Sequence, residues 1–392
     1  MKISISLRDE KNLTRLYCLT LYFYIILVGV NSFFNGVIGN TVIDSIVVYF
    51  AFALCIIFAV PQIVKRISDI HILLVFGFVI LMLLGSIMNN GATLKVIGKT
   101  IFTNGMAFFI GISFSDFNNM EKIIRRFTIF AFFCGLSHIV FSSFQMSGVL
   151  EDMPAAYSFL PVAVMMFYYA LEELNIINVV FAITSFVILF IFGTRGPILV
   201  SLIAFAILWI NYSNKTKVKL IGILVIGFLI LFFSTSMFDS FIKWSSDYFS
   251  KFGISNLFLI RLKTGNLFDP NGRDYLAAEA KRLIASHPLI GLGAFADRVM
   301  IGQYVHNIFL ELLLDYGIIF GTAFFLFYIG SVIVLFIQYK RNKFAFAFLL
   351  TLASLAVGQL FLSSSYLESS SFFIMTGLIF NNKINYKFKL GV

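Results

Sequence analysis

The sequence predicts an all-α membrane protein, a polytopic bundle of about twelve transmembrane helices with one large, partly helical extracytoplasmic loop. Hydrophobic residues make up 60% of the 392 residues and charged residues only 12%, whereas soluble domains carry about 25% charged residues. The apolar residues fall into runs of about 20, the length that crosses about 30 Å of hydrocarbon. We therefore expect residues 1–392 to form a single transmembrane domain.

The individual spans are predicted from apolar runs separated by polar segments. The first follows a basic N-terminal stretch, but it is too long for a secretory signal and no small-residue cleavage site follows it, so we predict no signal peptide. The last is the weakest. The predicted spans are 16–36, 41–63, 70–89, 94–115, 123–147, 155–171, 175–193, 197–212, 218–238, 307–338, 344–362 and 366–381.

Basic residues predict the orientation, because cytoplasmic loops carry the excess of lysine and arginine. Lys65, Arg66 and the basic groups near 122–126, 215–219, 340–343 and 383–389 all fall in alternate connections. Both termini are therefore expected in the cytoplasm, and residues 239–306 form the large outer loop. Glu172 and Glu173 lie on the basic side without basic neighbours in sequence. This distribution speaks against a nucleic-acid partner, which would need basic residues on one face.

The large loop contains two segments with helical apolar spacing. Residues 238–262 alternate aromatic residues with Lys243, Asp247 and Lys251, as expected of a helix that lies in the membrane interface. The second helix is predicted to begin after Gly272 and to end before Pro288, and its apolar face is Leu276, Ala280, Leu283 and Ile284. The three cysteines, all inside predicted spans, show no metal-ligand or disulfide spacing and are interpreted as packing residues.

Two arginines are candidates for chemistry, one in a turn between two predicted spans and one in the large loop. Arg195 lies in a Gly-Thr-Arg-Gly-Pro turn at 193–197, where the flanking glycines favour close approach of another group. Its alternative interpretation is an interfacial arginine that reaches lipid phosphate. Arg273 begins the loop helix, and its alternative is a solvated charge paired with Asp274 or Glu279.

His306 is the third candidate, because a histidine can exchange a proton near neutral pH. It precedes Asn307, Glu311 and Asp315, and the two acidic residues share one helix face. Single histidines more often form structural hydrogen bonds, which is our interpretation of the other three. No histidine-carboxylate cluster has a usual metal-ligand spacing, so no metal is expected.

These motifs resemble the O-antigen polymerase and O-antigen ligase superfamily of membrane glycosyltransferases. The resemblance rests on the turn at 193–196, on the Gly-Arg helix start at 272 with His-Pro-Leu-Ile-Gly-Leu-Gly at 287–293, and on His306-Asn307 followed by Leu310-Glu311 and Gly317. It implies an enzyme at the outer face of the bacterial inner membrane that joins glycans carried on polyprenyl (undecaprenyl) pyrophosphate, without nucleotide sugar, metal or other cofactor. It further implies membrane lipids, a flippase and a chain-length regulator as partners.

The resemblance also implies roles for individual residues. Arg195 and Arg273 would stabilise the pyrophosphate leaving group, and His306 would be the base, with Asn307 and Glu311 in the substrate site. A ligase would carry a second glycine three residues after Gly317, where this chain has Phe320, so we favour a repeat-unit polymerase over a ligase. A lipid-linked oligosaccharide flippase or transporter and a non-catalytic assembly scaffold are the alternatives from other classes.

Overall fold

The computed structural model describes residues 14, 16–25, 41–89, 94–114, 120–145, 148–150, 153–192, 194–212, 243, 254–256 and 272–381. This part of the chain is almost entirely helical, as predicted. Its helices are α1 (Leu16–Ile25), α2 (Thr41–Arg66), α3 (Asp69–Asn89), α4 (Leu94–Ile112), α5 (Glu121–Gln145), α6 (Met153–Glu172), α7 (Ile176–Ile191), α8 (Arg195–Tyr212), α9 (Arg273–Ser286), α10 (Ala296–Met300), α11 (Ile308–Tyr339), α12 (Lys343–Leu362) and α13 (Ser370–Ile379).

Helices occupy most of each predicted span that the structure describes, with exceptions in the tenth and last spans, and the predicted ninth span at 218–238 lies outside the described residues. Five described helical segments are long and apolar enough to cross a membrane by length and composition, which indicates an integral membrane protein. The count of about twelve spans stays a prediction. The five segments are Tyr49–Arg66, Met153–Glu172, Arg195–Tyr212, Ile308–Tyr339 and Lys343–Leu362.

Helix α6 lies at the centre of the described bundle. Its apolar segment is 83% buried, against 22% for α11, because α6 packs against α5, α7, α8 and α12. Side chains from these helices form the main hydrophobic core, which also contains the free thiols of Cys18, Cys55 and Cys134. The interpretation of the cysteines as packing residues is confirmed. A smaller apolar cluster joins α9 to α11 through Ala280, Ile284, Leu313 and Leu314.

Ion pairs at one end of the bundle connect loops that the basic residues assign to the same side. Arg125 donates to Glu173 at 2.8 Å, and Lys343 donates to Glu172 at 3.0 Å. The two acidic residues thus have basic partners from other connections, although none is near them in sequence. Their common position agrees with alternating antiparallel spans, while the choice of this end as the cytoplasmic one stays a prediction.

The loop helix predicted from Gly272 to Pro288 is confirmed as α9, with Leu276, Ala280 and Ile284 buried. The interfacial helix predicted at 238–262 is wrong at Ile254–Asn256, which forms a short strand, β2. This strand pairs in parallel with β1 (Gly148–Leu150), because strand pairing satisfies its main-chain groups through a distant segment. Apart from Lys243, the rest of that predicted helix lies outside the described residues.

The last span begins later than predicted. Residues 363–369 form a polar loop with a 3-10 turn at Tyr366–Glu368, and α13 starts only at Ser370. The side chain of Ser369 accepts a hydrogen bond from the Phe372 amide and so caps the helix. The segment 363–369, named the serine loop below, lies at the end of the bundle opposite Arg125 and Glu173, and it forms one wall of the candidate site.

Candidate active site

The predicted tenth span is broken at Gly317, where φ is 76° and ψ is 173°. A Cβ built on Gly321 would lie only 2.5 Å from the Leu312 carbonyl oxygen, although nine residues of straight helix extend about 13.5 Å. Helix α11 is therefore an elbow, with a short arm at 308–316 folded against a long arm at 318–339. The long arm measures about 33 Å and can cross the membrane by itself.

The elbow is held by the loop at 287–293, which follows α9. A broken helix frees backbone groups that need new partners. The Leu314 and Asp315 carbonyls accept from the amides of Leu292 at 2.8 Å and Gly293 at 2.9 Å, and the Ile318 amide donates to the Pro288 carbonyl at 2.8 Å. The two motifs that were recognised separately in sequence therefore form one structural unit.

Glycines allow this unit to pack without side chains between the backbones. Gly291 and Gly293 have φ values of 75° and 85°, in the left-handed region. A Cβ on Gly291 would lie 2.5 Å from the Gly317 amide nitrogen, and one on Gly293 would lie 2.6 Å from the Cα atom of Gly85 in α3. The loop is thereby fixed between α11 and α3.

The turn that carries Arg195 packs against α6 and the serine loop. A Cβ on Gly196 would collide with the Tyr157 hydroxyl and would lie 3.2 Å from Ser363 Oγ. These two hydroxyl groups are hydrogen-bonded to each other at 2.7 Å, across 206 residues of sequence. Arg195 is the first residue of α8, so its backbone is placed directly beside the Tyr157–Ser363 pair.

His306 lies beside the same pair and has a positive φ of 58°, which is uncommon for a residue with a side chain. The backbone of Ser363 hydrogen-bonds the imidazole, and the ring of Tyr304 lies 4.3 Å away between centroids. Burial lowers the pKa of His306, and the positive charge of Arg273 lowers it further. The imidazole is therefore neutral at pH 7, and its Nδ1 atom is buried with no hydrogen-bond partner among the described residues.

Arg273 approaches this group from α9. Its charge acts electrostatically on His306, on Tyr304 and on the Tyr157 hydroxyl. Arg273 is partly buried, and Gly272 before it has a φ of 78° that turns the chain into the helix. The structure thus places the start of α8 at Arg195 and the His306 imidazole beside Tyr157 and Ser363, and the charge of Arg273 acts on the same groups.

The other two predicted site residues have structural partners. The side chain of Asn307 caps α11 by accepting from the amides of Phe309 at 3.0 Å and Leu310 at 3.2 Å. Glu311 is fully buried on the short arm of the elbow. It accepts hydrogen bonds from the Ser365 hydroxyl and, at 3.3 Å, from the Tyr366 amide. In this structure both residues position the segments around His306.

Arg298 connects these segments, and sequence reasoning missed it. Its guanidinium lies 2.8 Å from Asp297, 3.5 Å from Glu311 and 3.0 Å from Glu368, and it donates to Ser365 Oγ at 2.7 Å. Although burial alone would lower the pKa of Arg298, these carboxylates more than offset it and keep the side chain charged. We name these five residues the Arg298 network. Its sequence signals are the Asp-Arg pair at 297–298 and the polar run at 363–369.

A second polar contact lies deeper along the short arm. Tyr366 donates to Asp315 Oδ2 at 2.6 Å and is hydrogen-bonded to the Tyr316 hydroxyl at 2.9 Å.

Burial raises the pKa of Asp297, although the charge of Arg298 partly offsets this effect. Despite these carboxylates, no group of three histidine, cysteine or acidic residues in the described ranges has an arrangement that could hold a metal ion. In the structure Asp297 and Glu311 contact Arg298, and Glu311 and Asp315 accept hydrogen bonds from the serine loop.

Comparison with known proteins gives a match over the part of the chain that carries the three candidate residues, while Tyr157 and the serine loop lie outside it. Residues 180–326 match the family model described as O-antigen ligase. The matched region includes Arg195, Arg273, His306 and the elbow at Gly317, and it confirms the resemblance to the O-antigen ligase and polymerase superfamily. No curated protein and no solved structure matches the chain. The match supports a ligase-type or polymerase-type membrane glycosyltransferase, and it does not distinguish between the two.

Proposed function

From the O-antigen ligase family region at 180–326, we propose that this chain is a surface-polysaccharide polymerase of the inner membrane. It joins oligosaccharide repeat units carried on polyprenyl pyrophosphate, at the end of the bundle where the serine loop lies. The observation that carries this proposal is the gathering of the Arg195 turn, Arg273 and a neutral His306 around the Tyr157–Ser363 pair.

The proposed reaction follows from the charges of these three residues. An acceptor hydroxyl oxygen forms a bond to the anomeric carbon of the donor glycan, and the bond from that carbon to the pyrophosphate oxygen breaks. Arg195 and Arg273 stabilise the negative charge on the departing polyprenyl pyrophosphate through hydrogen bonds in a site of low dielectric constant. The imidazole of His306, kept neutral by burial and by Arg273, takes the acceptor proton.

The two alternatives to the polymerase are a ligase and a flippase. The ligase would transfer the finished polymer to lipid A core instead of to another repeat unit. Phe320 favours the polymerase, since the ligase pattern has glycine there. In this chain the close approach of the two elbow arms uses Gly321 instead, and Phe320 is 67% exposed. A flippase would place charges along its central pathway, whereas the charged candidates here lie at one end of the bundle.

The test uses purified protein in lipid vesicles with polyprenyl-pyrophosphate-linked repeat units and no metal or nucleotide sugar. We expect polymer with the native protein, and a loss of at least about a hundredfold in His306→Ala, Arg195→Ala and Arg273→Ala, the range expected for an acid-base group or a charge-stabilising donor. Undiminished polymer from all three variants would refute the site. Product on lipid A core instead of polyprenol would establish the ligase.

Matched controls lie in the same segments. His287 is exposed and its side chain hydrogen-bonds the neighbouring Ser286, so His287→Ala should retain activity. Arg282 is on the same helix as Arg273 and forms an exposed pair with Glu279, so Arg282→Ala should also be active. Equal losses in control and site variants would show general damage to the protein and would contradict the assigned roles.

A further inference from the structure

A cavity of about 410 Å³ lies beside the Arg298 network. Its volume falls in the range of about 300–1,000 Å³ that is typical of small-molecule sites. It is lined by α1, α2 and α4, by Phe295 and Arg298 at the start of and within α10, and by the serine loop together with the first residue of α13. None of the three predicted catalytic residues lines it, so this cavity is a separate feature of the same end of the bundle.

The lining combines aromatic rings with hydroxyl and charged groups. Tyr24, Tyr49 and Phe52 form one wall, while Thr103 and Lys99 of α4 face the cavity along with Glu368. A glycan matches this mixture, because its hydroxyl groups can donate to and accept from polar side chains, and its C–H faces can pack on aromatic rings. A hydrocarbon chain would offer no partner to the ammonium group of Lys99, nor to the acceptor oxygens that Thr103 and Glu368 still have free beside their bonds to the backbone and to Arg298.

Contacts connect the cavity to the predicted base. Arg298 lines the cavity, and its guanidinium carbon lies 5.6 Å from the centre of the Tyr304 ring. Tyr304 in turn packs on the His306 ring at 4.3 Å. A glycan whose attacking hydroxyl lies at His306 can therefore extend past Tyr304 into the cavity. The donor pyrophosphate would lie at Arg195 and Arg273, which are not part of the lining.

We propose that the cavity is a glycan subsite that binds acceptor sugars beyond the sugar that attacks, with Lys99, Thr103 and Glu368 as polar ligands. This inference rests on the proposed function. It gives the enzyme a means to prefer an acceptor of several sugars over a single sugar, because only the longer acceptor reaches the cavity.

The experiment compares two acceptors, a monosaccharide and the full repeat-unit oligosaccharide, each on a short alkyl chain. Both lack pyrophosphate and so act only as acceptors for a polyprenyl-pyrophosphate donor. In Thr103→Trp the indole fills the cavity, and we expect the preference for the long acceptor, measured as the ratio of kcat/KM values, to fall about tenfold. The control is Phe102→Trp, because Phe102 is the preceding residue on α4, is 59% exposed and does not line the cavity.

A binding measurement makes the result independent of turnover and of folding defects. Saturation-transfer NMR with the long acceptor should show contact of its distal sugars with the native protein, and weaker contact in Lys99→Met, a substitution at an exposed position. Two results would overturn the subsite: an unchanged ratio of kcat/KM for the long and short acceptors in Thr103→Trp, or saturation transfer to lipid chains instead of distal sugars. In both cases the activity of the native protein would still support the proposed function. A native protein that makes no polymer from polyprenyl-pyrophosphate-linked repeat units would overturn the proposed function, and the subsite with it.

Discussion

Replacement of Arg298 by methionine tests whether the buried ion pair holds the site together. Asp297 and Glu311 have no exposed surface, so the variant leaves two buried carboxylates without their cation, while the methionine retains most of the packing of the arginine stem. Breaking a buried pair in this way costs about 3–5 kcal/mol. Glu368 is 57% exposed as a side chain and contributes little, because solvent screens its charge.

The free energy of unfolding can be measured by titrating the purified protein in mild detergent with sodium dodecyl sulfate and following its circular dichroism. The matched control is Arg282→Met, which breaks an exposed arginine–glutamate pair and should cost less than about 1 kcal/mol. A second substitution, Glu311→Gln, should recover part of the loss in Arg298→Met by removing one unpaired charge. Equal costs for Arg298→Met and Arg282→Met would refute the reasoning.

Three further predictions follow from the elbow, the helix cap and the base. Gly317→Ala should destabilise the protein by at least about 1–3 kcal/mol in the same unfolding assay, since the backbone conformation of Gly317 is accessible mainly to glycine. Its control is Gly330→Ala in the same helix. The added methyl group there meets no atom within 4 Å, so the variant should be neutral or stabilising. Asn307→Ala should cost about 1 kcal/mol, because it removes the cap of α11. Because the pKa of His306 is lowered and its neutral form is required, kcat/KM should fall only below pH ~6.5, the ordinary pKa of histidine, and Arg273→Gln should shift this fall to higher pH.

Equal stability of the two glycine variants would mean that the elbow is not built as described. A loss well above 1 kcal/mol in Asn307→Ala would indicate a role beyond capping. For the base, NMR titration of the His306 imidazole gives its pKa without activity, and a value above that of a free histidine would contradict the lowered pKa, as would no change in Arg273→Gln.

Most helices of the described chain follow from the sequence for a simple reason. In a membrane every backbone amide and carbonyl needs an internal partner, so a run of about 20 apolar residues can only be a helix. The start of α9 after Gly272 and its end before Pro288 were also predictable, because helix caps and proline act on neighbouring residues. The three candidate residues were found from the turn, the helix start and the span entry on which they lie, and the family resemblance implied their roles.

The sequence failed where partners come from far along the chain. A continuous apolar pattern predicted one tenth span, but the break at Gly317 is stabilised by backbone bonds from the loop at 287–293. The Asp-Arg pair at 297–298 did not by itself indicate a partner, because the contact of Arg298 with Ser365 spans 67 residues. The hydrogen bond between Tyr157 and Ser363, around which the candidate site lies, joins residues that are 206 positions apart in sequence.

The helical segments and the membrane class of this protein can be predicted from sequence, because hydropathy and local caps act within a few turns of chain. Which polar groups meet depends on the packing of distant segments. Burial makes an unpaired charge or hydroxyl costly, so Arg298 and Glu311 form hydrogen bonds with the serine loop across the bundle. These bonds hold the backbone of Ser363 against His306. They also place Arg298 and Glu368 at the border of the cavity.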